Sequence, residues 1–325
     1  MKYFLAAIML LSYLAAGQAE AGWKFAVLSD IHVGKQADPA QSVGPFLKNA
    51  IARLAAEKPD LVILTGDLTR GNPDDGFSAE AAGKWWGSVK KALEPLREAG
   101  IPVAPIPGNH DSYTSAHRQA YKAAWADFSP GLAGLDLKGK PPHYYSFDHG
   151  GAHFTLLSIT DQDISAEQLA WLKKDLAGAS GLRFVFGHVP LASAMARPNA
   201  SFRKELGSAL ADGNAAAYVC GHEHLVWDQS DGLPVRQIIS GTAMNRPYSY
   251  AIRKELYAAH CRAADGQCVM PATGRRFSAN PADRLQKLSS AFYIFEMDPA
   301  LEGGYSATPH TLDETGALSP FYLAQ

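Results

Sequence analysis

The fold is decided by a short apolar run that ends in polar residues, Leu61-Val62-Ile63-Leu64-Thr65-Gly66-Asp67. Four consecutive apolar residues without alternation are typical of a strand buried on both faces. Helical apolar spacing precedes this strand over residues 46–57 and follows it over residues 79–99. Further short apolar runs at residues 25–28 and 103–106 complete a strand–helix–strand–helix–strand series. The sequence therefore predicts an α/β fold built on βαβ units.

The second half of the chain continues this alternation less regularly. A hairpin is predicted from strands at residues 144–147 and 154–159, with a turn at residues 148–151 between them. A helix over residues 165–176 begins at Ser165, whose hydroxyl is suited to capping it. The remaining predicted strands are residues 184–186, 216–220, 235–239 and 292–296.

Polar side chains follow five of the predicted strands at the point where each strand ends. They are Asp30 and His32; Asp67; Asn109, His110 and Asp111; His188; and His222 and His224. In open α/β sheets the loops at the carboxyl ends of the strands converge on one crevice. We therefore expect these side chains to form one site.

The residue types indicate a metal centre. Imidazole combined with carboxylate and amide oxygen suits zinc, manganese or iron, whereas calcium and magnesium prefer shells of oxygen alone. The set is large enough for two ions, with two His and two Asp at one and two His, one Asn and a shared Asp at the other. Two such ions about 3.5–4 Å apart can activate water between them and clamp a phosphoryl group. A glycine precedes four of the five polar groups, which lets the backbone approach the ions closely.

Each motif is weak by itself, since a lone strand-end His is usually an ordinary residue and Gly-Asn-His-Asp could be a simple turn. Taken together and in order, the motifs resemble those of the calcineurin-like metallophosphoesterases. They are Asp30-x-His32, Gly66-Asp67, Gly108-Asn109-His110-Asp111, Gly187-His188 and Gly221-His222-x-His224. The resemblance implies a four-layer α/β/β/α sandwich that carries a dinuclear centre.

The resemblance also implies a role for each site residue. One ion would be held by Asp30, His32, Asp67 and His224. The other would be held by the shared Asp67 with Asn109, His188 and His222. His110 would steady the phosphate or protonate the leaving oxygen, and Asp111 would orient His110. Arg70 and Arg246 are expected to contact the substrate phosphate, because a guanidinium can donate two hydrogen bonds to it.

Departures from the family pattern narrow the expected activity. His32 stands where purple acid phosphatases have glycine, which argues against their tyrosine-ligated iron centre. The spacing is most similar to class III cyclic-nucleotide phosphodiesterases and related small bacterial phosphoesterases. A diesterase acting on cyclic nucleotides or other diesters, and a monoesterase, both stay open. A scaffold protein on the same fold is the alternative of a different class.

Composition adds little about the partner. The 325 residues include 30 basic and 32 acidic ones, for a formal net charge of −2. A chain built for nucleic acid is usually strongly basic, so a small phosphate ester is expected rather than a nucleic-acid polymer. The sequence leaves the oligomeric state open.

The N-terminus predicts export. Lys2, an apolar stretch over residues 3–16 and the Ala19-Glu20-Ala21 pattern are typical of a cleaved signal peptide over residues 1–21. The phosphoesterase domain would then cover residues 22–325, in the periplasm or outside the cell, with no membrane span. Residues 246–290 are expected to form a cap insertion closed by a Cys261–Cys268 disulfide, while Cys220 is expected to be a buried thiol.

Overall fold

A computed structural model of the chain describes thirteen ranges of residues. They are 22–34, 43–72, 78–126, 132, 134–193, 199–230, 232–244, 249–251, 267–269, 276–278, 285–287, 290–312 and 316–320. The predicted signal peptide and Arg246 lie outside these ranges, as does Cys261. The predicted cap insertion is described only as four short strands and its final residue.

The described strands fall into two large sheets and two small pairs. In chain order they are β1 (Trp23–Leu28), β2 (Leu61–Leu64), β3 (Val103–Pro105), β4 (Lys138–Lys140), β5 (Tyr144–His149), β6 (Ala152–Leu156), β7 (Leu182–Phe186), β8 (Ala217–Cys220), β9 (Val226–Gln229), β10 (Gln237–Ser240), β11 (Ser249–Ala251), β12 (Gln267–Val269), β13 (Arg276–Ser278), β14 (Leu285–Lys287), β15 (Phe292–Met297), β16 (Tyr305–Leu312) and β17 (Leu318–Pro320).

The first large sheet has the order β17-β16-β15-β1-β2-β3, and the second has the order β4-β5-β6-β7-β8-β10-β9. In the first sheet β1, β2 and β3 are parallel, with Phe25 opposite Leu61. In the second sheet β6, β7, β8 and β10 are parallel, with Phe154 opposite Phe184. The small pairs are β11 with β14 and β12 with β13.

Five α-helices connect and cover these sheets in the described part of the chain. They are α1 (Pro45–Glu57), α2 (Ala79–Glu98), α3 (Ser115–Trp125), α4 (Ala166–Gly178) and α5 (Ala200–Asp212). The side chains of Ser78, Thr114, Ser165 and Asn199 accept hydrogen bonds from amides in the first turns of α2 to α5. These bonds satisfy donors that have no partner inside the helix.

Two sheets packed face to face form the centre of the molecule. Because alternate residues of each strand point in opposite directions, one set of side chains faces the other sheet and the other set faces the helices. Phe25 and Val27 of β1 pack against aromatic residues of the second sheet, and the ring centroids of Phe25 and Phe154 are 5.2 Å apart. Ala26 and Leu28 face α1, α2 and α3 instead. Helices α4 and α5 cover the outer face of the second sheet. The predicted four-layer α/β/β/α sandwich is confirmed.

Most predicted elements are present with small shifts of their ends. The predicted strand 154–159 is β6 and ends at Leu156, while the predicted strand 235–239 is β10 and begins at Gln237. The predicted turn is confirmed, since Gly150 and Gly151 connect β5 to β6 with φ of 54° and 77°. The Cys220 thiol is buried and free, as expected. No helix in the described ranges is long and apolar enough to cross a membrane.

Candidate metal centre

The predicted site residues meet at one edge, where the parallel strands of both sheets end. Asp30 and His32 follow β1, and Asp67 follows β2. The loops are joined by backbone hydrogen bonds, from Asp30 N to Gly66 O at 3.0 Å and from His32 N to Asp67 O at 2.9 Å. The second sheet joins them through the amide of His222, which donates to Asp30 Oδ2 at 3.0 Å. Loops from two sheets are thus fixed around one point.

The backbone at this edge adopts an unusual conformation. Five site residues have positive φ, namely Asp30 (54°), His32 (49°), Asp67 (52°), His222 (71°) and His224 (53°). Residues other than glycine rarely adopt a positive φ, and each residue that does so lowers the stability of the fold by about 1–3 kcal/mol. This concentration of strained residues is typical of functional sites, where the surrounding structure holds the geometry in place.

Two motif glycines make room for the aspartates. A Cβ on Gly108 would overlap the Asp67 carboxylate, and a Cβ on Gly221 would overlap Ser29 Oγ and Asp30 Oδ2. The sequence predicted that these glycines let the backbone approach the ions. In the structure the nearest side chains are Asp67 at Gly108, and Ser29 and Asp30 at Gly221.

Four buried side chains form the first cluster of potential ligands, Asp30, His32, Asp67 and His224. The Nε2 atoms of His32 and His224 are 2.9 Å apart. His224 Nε2 lies 3.2 Å from Asp30 Oδ1, and His32 Nε2 lies 3.6 Å from Asp67 Oδ2. One atom from each residue therefore faces the same small volume, as ligands of a single ion do.

The second cluster contains Asp67 again, with His188 and His222. The oxygen that faces the first cluster, Asp67 Oδ2, also lies 3.2 Å from His188 Nε2. Asn109 Oδ1 completes the group at 3.0 Å from His188 Nε2 and 3.0 Å from His222 Nδ1. The structure thus brings all seven predicted ligands together, with Asp67 between the two groups.

The hydrogen bonding of His188 shows that a cation fits the second cluster. His188 Nδ1 lies 2.8 Å from the Thr65 carbonyl oxygen, so Nδ1 carries a proton. In a neutral ring Nε2 then presents a lone pair toward the oxygens of Asp67 and Asn109, which are acceptors as well. Three acceptors that converge in this way need a cation between them, either a proton or a metal ion.

Burial and charge set the protonation of these groups. Burial lowers the pKa of His32 and of His222 to about 4 each, so both rings are neutral at pH 7 and can bind a metal. Burial also disfavours ionised Asp30 and Asp67, yet the surrounding imidazoles hold the pKa of both carboxyls well below its usual range. Burial alone would lower the pKa of His188, but the Asp67 carboxylate raises it to about 9.

His110 lies beside the two clusters without joining either one. Its backbone amide donates to Asp67 Oδ1 at 2.8 Å. Its ring Nδ1 lies 2.5 Å from the Arg70 carbonyl oxygen and 2.7 Å from that of Gly71, so Nδ1 carries a proton. Nε2 points the other way and is 3.9 Å from Asp67 Oδ2. The ring therefore presents one nitrogen to whatever lies over the clusters.

Asp111 does not orient His110, so the role expected for it from the sequence is wrong. Its carboxylate accepts hydrogen bonds from the amides of Leu68, Thr69 and Gly108 and from the Thr69 hydroxyl, at 2.8–3.0 Å. His110 Nδ1 is held by carbonyl groups instead. The physical reason is that the buried carboxylate needs several donors, and the adjacent loop amides supply them.

Known proteins resemble this chain in sequence and in fold. The family model described as "Calcineurin-like phosphoesterase" matches residues 24–226, more than half of the chain. The chain belongs to this family.

Two curated proteins are similar to the chain in sequence. Purple acid phosphatase 15 of Arabidopsis thaliana is 32% identical over 145 residues, which are 40% of this chain and 27% of that protein. A probable cyclic nucleotide phosphodiesterase of Fibrobacter succinogenes is 27% identical over 173 residues, or 51% of this chain and 57% of that protein. The chain thus spans between about a quarter and just over half of the length of these relatives.

A solved structure, a dimetal phosphatase from Danio rerio, has the same fold. Its TM-score is 0.53 at 17% identity, and the match covers 70% of this chain and 92% of that one.

Of the two arginines predicted to bind phosphate, Arg70 lies beside the site. Arg70 contributes its backbone to the site, because its carbonyl oxygen accepts from His110 and its amide donates to Val33 O at 2.7 Å. Contact between its guanidinium and a phosphate stays a prediction. Arg246 lies outside the described residues.

Several groups that hold the site in place were not predicted from the sequence. The carbonyl oxygens of Thr65, Arg70 and Gly71 set the tautomers of His188 and His110, and a backbone atom leaves no signal in side-chain identity. Tyr113 also belongs to this support, because it accepts a hydrogen bond from Asn109 Nδ2 at 2.6 Å. Its position four residues after Asn109, in the turn before α3, was the available signal.

Proposed function

We propose that this chain is a metal-dependent hydrolase of phosphate esters. The observation that carries the proposal is that a single oxygen, Asp67 Oδ2, faces both groups of potential ligands, at 3.6 Å from His32 Nε2 and 3.2 Å from His188 Nε2. An oxygen placed in this way can bridge two ions. Membership of the calcineurin-like phosphoesterase family supports the same chemistry.

The ligand side chains form two groups, one for each proposed ion. Asp30, His32, Asp67 and His224 would hold one ion, and Asp67, Asn109, His188 and His222 the other. When bound, two ions supply a nucleophile at neutral pH and electrostatic stabilisation of the transferred phosphoryl group. Since imidazole is combined with carboxylate and amide oxygen, we propose manganese, iron or zinc rather than calcium or magnesium.

His110 is proposed as the proton donor to the leaving oxygen. Its Nδ1 is fixed on the carbonyls of Arg70 and Gly71, so Nε2 is directed to the face of the centre. When this imidazole is protonated on both nitrogens, its Nε2–H can protonate the leaving oxygen or donate a hydrogen bond to the phosphate. Arg70 is proposed to contact the phosphate from the loop after β2.

Among phosphate esters, we propose that diesters are preferred. His32 is part of the first cluster, where the purple acid phosphatase pattern has a glycine, and its Nε2 lies 2.9 Å from His224 Nε2. The relative named as a probable cyclic nucleotide phosphodiesterase supports this preference, whereas the purple acid phosphatase relative supports a monoesterase.

The test is a panel of substrates assayed with protein loaded with Mn²⁺, Fe²⁺ or Zn²⁺. An aryl diester, a cyclic nucleotide, an aryl monoester and a nucleotide would be compared by kcat/KM. Faster cleavage of diesters supports the proposed preference, and faster cleavage of monoesters overturns it. Stoichiometric metal with no turnover on any of the four would favour a scaffold protein on the same fold.

We also propose that the chain is exported after removal of residues 1–21, and that a Cys261–Cys268 disulfide closes a cap formed by residues 246–290. The support is the N-terminal sequence pattern and the presence of two further cysteines, Cys261 and Cys268, in a chain that carries this pattern. Intact-mass measurement of the natively produced protein should give a chain starting at Gly22, two mass units lighter than the reduced chain. A retained Met1 with three free thiols would contradict both parts.

A further inference from the structure

The two ligand clusters differ in how firmly their side chains are held. Asp30, His32, Asp67 and His224 are all buried. The second cluster opens toward solvent at His222 and Asn109, which are only partly buried. Asn109 is also the weakest ligand type present, since an amide oxygen is uncharged and is less basic than an imidazole nitrogen. The second cluster therefore depends most on how its amide ligand is positioned.

Only one end of the Asn109 amide can serve as a ligand. Its Oδ1 lies 3.0 Å from both His188 Nε2 and His222 Nδ1. With a cation between these atoms Oδ1 must face it, because the amide nitrogen has no lone pair to offer. Nδ2 then points away from the centre and needs an acceptor on the opposite side.

That acceptor is the Tyr113 hydroxyl. Asn109 Nδ2 donates to Tyr113 Oη at 2.6 Å. The Tyr113 ring lies edge-on against His110, with centroids 5.2 Å apart, and against His117 at 6.4 Å. These ring contacts hold the hydroxyl in place although the residue is 40% exposed.

We infer that Tyr113 is a positioning residue for the second metal ion, because its hydroxyl holds the Asn109 amide with Oδ1 toward His188 and His222. This inference rests on the proposed dinuclear centre. It assigns Tyr113 no contact with the ion. Hydrogen bonds to metal ligands commonly contribute 10–100-fold in metal affinity.

The test is titration of the metal-free protein with Mn²⁺ by calorimetry, with metal content checked by elemental analysis. Tyr113→Phe keeps the ring and removes the hydroxyl. It should raise the Kd of the weaker site by about 10–100-fold and leave the tighter site unchanged. Tyr144→Phe is the matched control, since Tyr144 also donates its hydroxyl to a side chain, Glu167 at 3.0 Å, on the exposed surface. It should bind Mn²⁺ as the wild type does.

A double-mutant cycle shows whether Tyr113 acts through Asn109. In an Asn109→Ala background, Tyr113→Phe should not change the affinity of the second site any further. The inference is overturned if Tyr113→Phe leaves both sites unchanged, weakens both equally, or weakens the second site as much without Asn109. A wild-type chain that binds fewer than two ions would overturn the dinuclear centre itself, and the inference with it. Circular dichroism of each metal-free variant checks that the fold is retained.

Discussion

The imidazole of His110 is held on one side by two backbone carbonyls and faces Asp67 on the other. Nothing in this geometry makes it a ligand of either cluster, since Nε2 is 3.9 Å from Asp67 Oδ2 and Nδ1 is bonded to Arg70 and Gly71. A residue fixed beside a metal centre in this way can act on the leaving group without holding metal.

His110→Ala should therefore keep both ions and lose rate. General acid catalysis is typically worth about 10²–10⁴-fold, and the loss should shrink for aryl esters whose leaving group has a low pKa, because these need no proton. The measurement is kcat across a series of substituted aryl esters, with metal content determined in parallel. An equal loss for all leaving groups would point to phosphate positioning instead.

Asp111, by contrast, should matter for stability. It joins the loop after β3 to the loop after β2 through three hydrogen bonds and accepts a fourth from Gly108 in its own loop, so its removal leaves buried amides without an acceptor. Asp111→Ala should lower the free energy of unfolding by about 3 kcal/mol. Urea unfolding measures this, with Glu80→Ala as a surface control that should stay near the wild-type value.

The catalytic behaviour of Asp111→Ala separates the two roles. A positioning effect on the loops should lower activity equally for all leaving groups. A dependence on leaving-group pKa like that of His110→Ala, with unfolding unchanged, would restore the role that the sequence suggested for Asp111.

At the level of helices and strands, the sequence predicted β1, β2 and β3 and the helices between them well. The three strands are buried on both faces, so the apolar pattern of each strand is uninterrupted. Helices α3 and α5 were not predicted. Their buried residues do recur at helical spacing, but in α3 these are His117, Tyr121, Ala124 and Trp125, so that a His takes a core position. In α5 the buried residues Phe202, Leu206 and Leu210 recur at regular helical spacing, so this helix was predictable from the sequence.

One polar network ties β5 and β6 to α4, away from the metal centre. His153 Nδ1 lies 2.7 Å from Asp148 Oδ1, and its Nε2 lies 2.9 Å from Asp175 Oδ2. The Ser146 and Thr155 hydroxyls also donate to Asp175, at 2.6 Å and 2.8 Å. Burial opposes both charges, yet the pKa of His153 is raised by the two carboxylates and the pKa of Asp175 is lowered by His153.

This network should make stability depend on pH in a defined direction. The His153 contribution is full below the unfolded pKa of about 6.5 and is lost as pH rises through the higher folded value. The Asp175 contribution is present above about pH 4 and is lost as pH falls through the lower folded value. His153→Gln should therefore cost more free energy of unfolding at pH 5.5 than at pH 9, by on the order of 1–2 kcal/mol.

The comparison is made by urea unfolding at both pH values. His149→Gln is the control, because it removes an imidazole that packs against Trp23 at 5.1 Å rather than between two carboxylates. A cost of His153→Gln that is the same at pH 5.5 and pH 9 would show that the imidazole is not charged in the folded state.

At the scale of the whole molecule, two sheets and their covering helices bring five strand ends to one edge. The ligand set was predictable because each ligand directly follows a buried strand, and the carboxyl ends of parallel strands meet at one place. The support of the ligands was not predictable, since it consists of backbone carbonyls and amides. The packing of both sheets determines which loops lie close enough to donate to Asp111 or to accept from His110 and His188.

The central claim is that Asp67 joins the two metal sites, and the most direct test is the metal content of Asp67→Ala. Elemental analysis after dialysis against Mn²⁺ should give about two ions per wild-type chain. The variant should lose most of the bound metal and essentially all turnover, because both clusters lose the oxygen they share. Asp175→Ala is the control, because it removes a buried carboxylate that lies away from the metal centre. This variant should keep both ions. Two ions per chain in Asp67→Ala, with activity retained, would contradict the account.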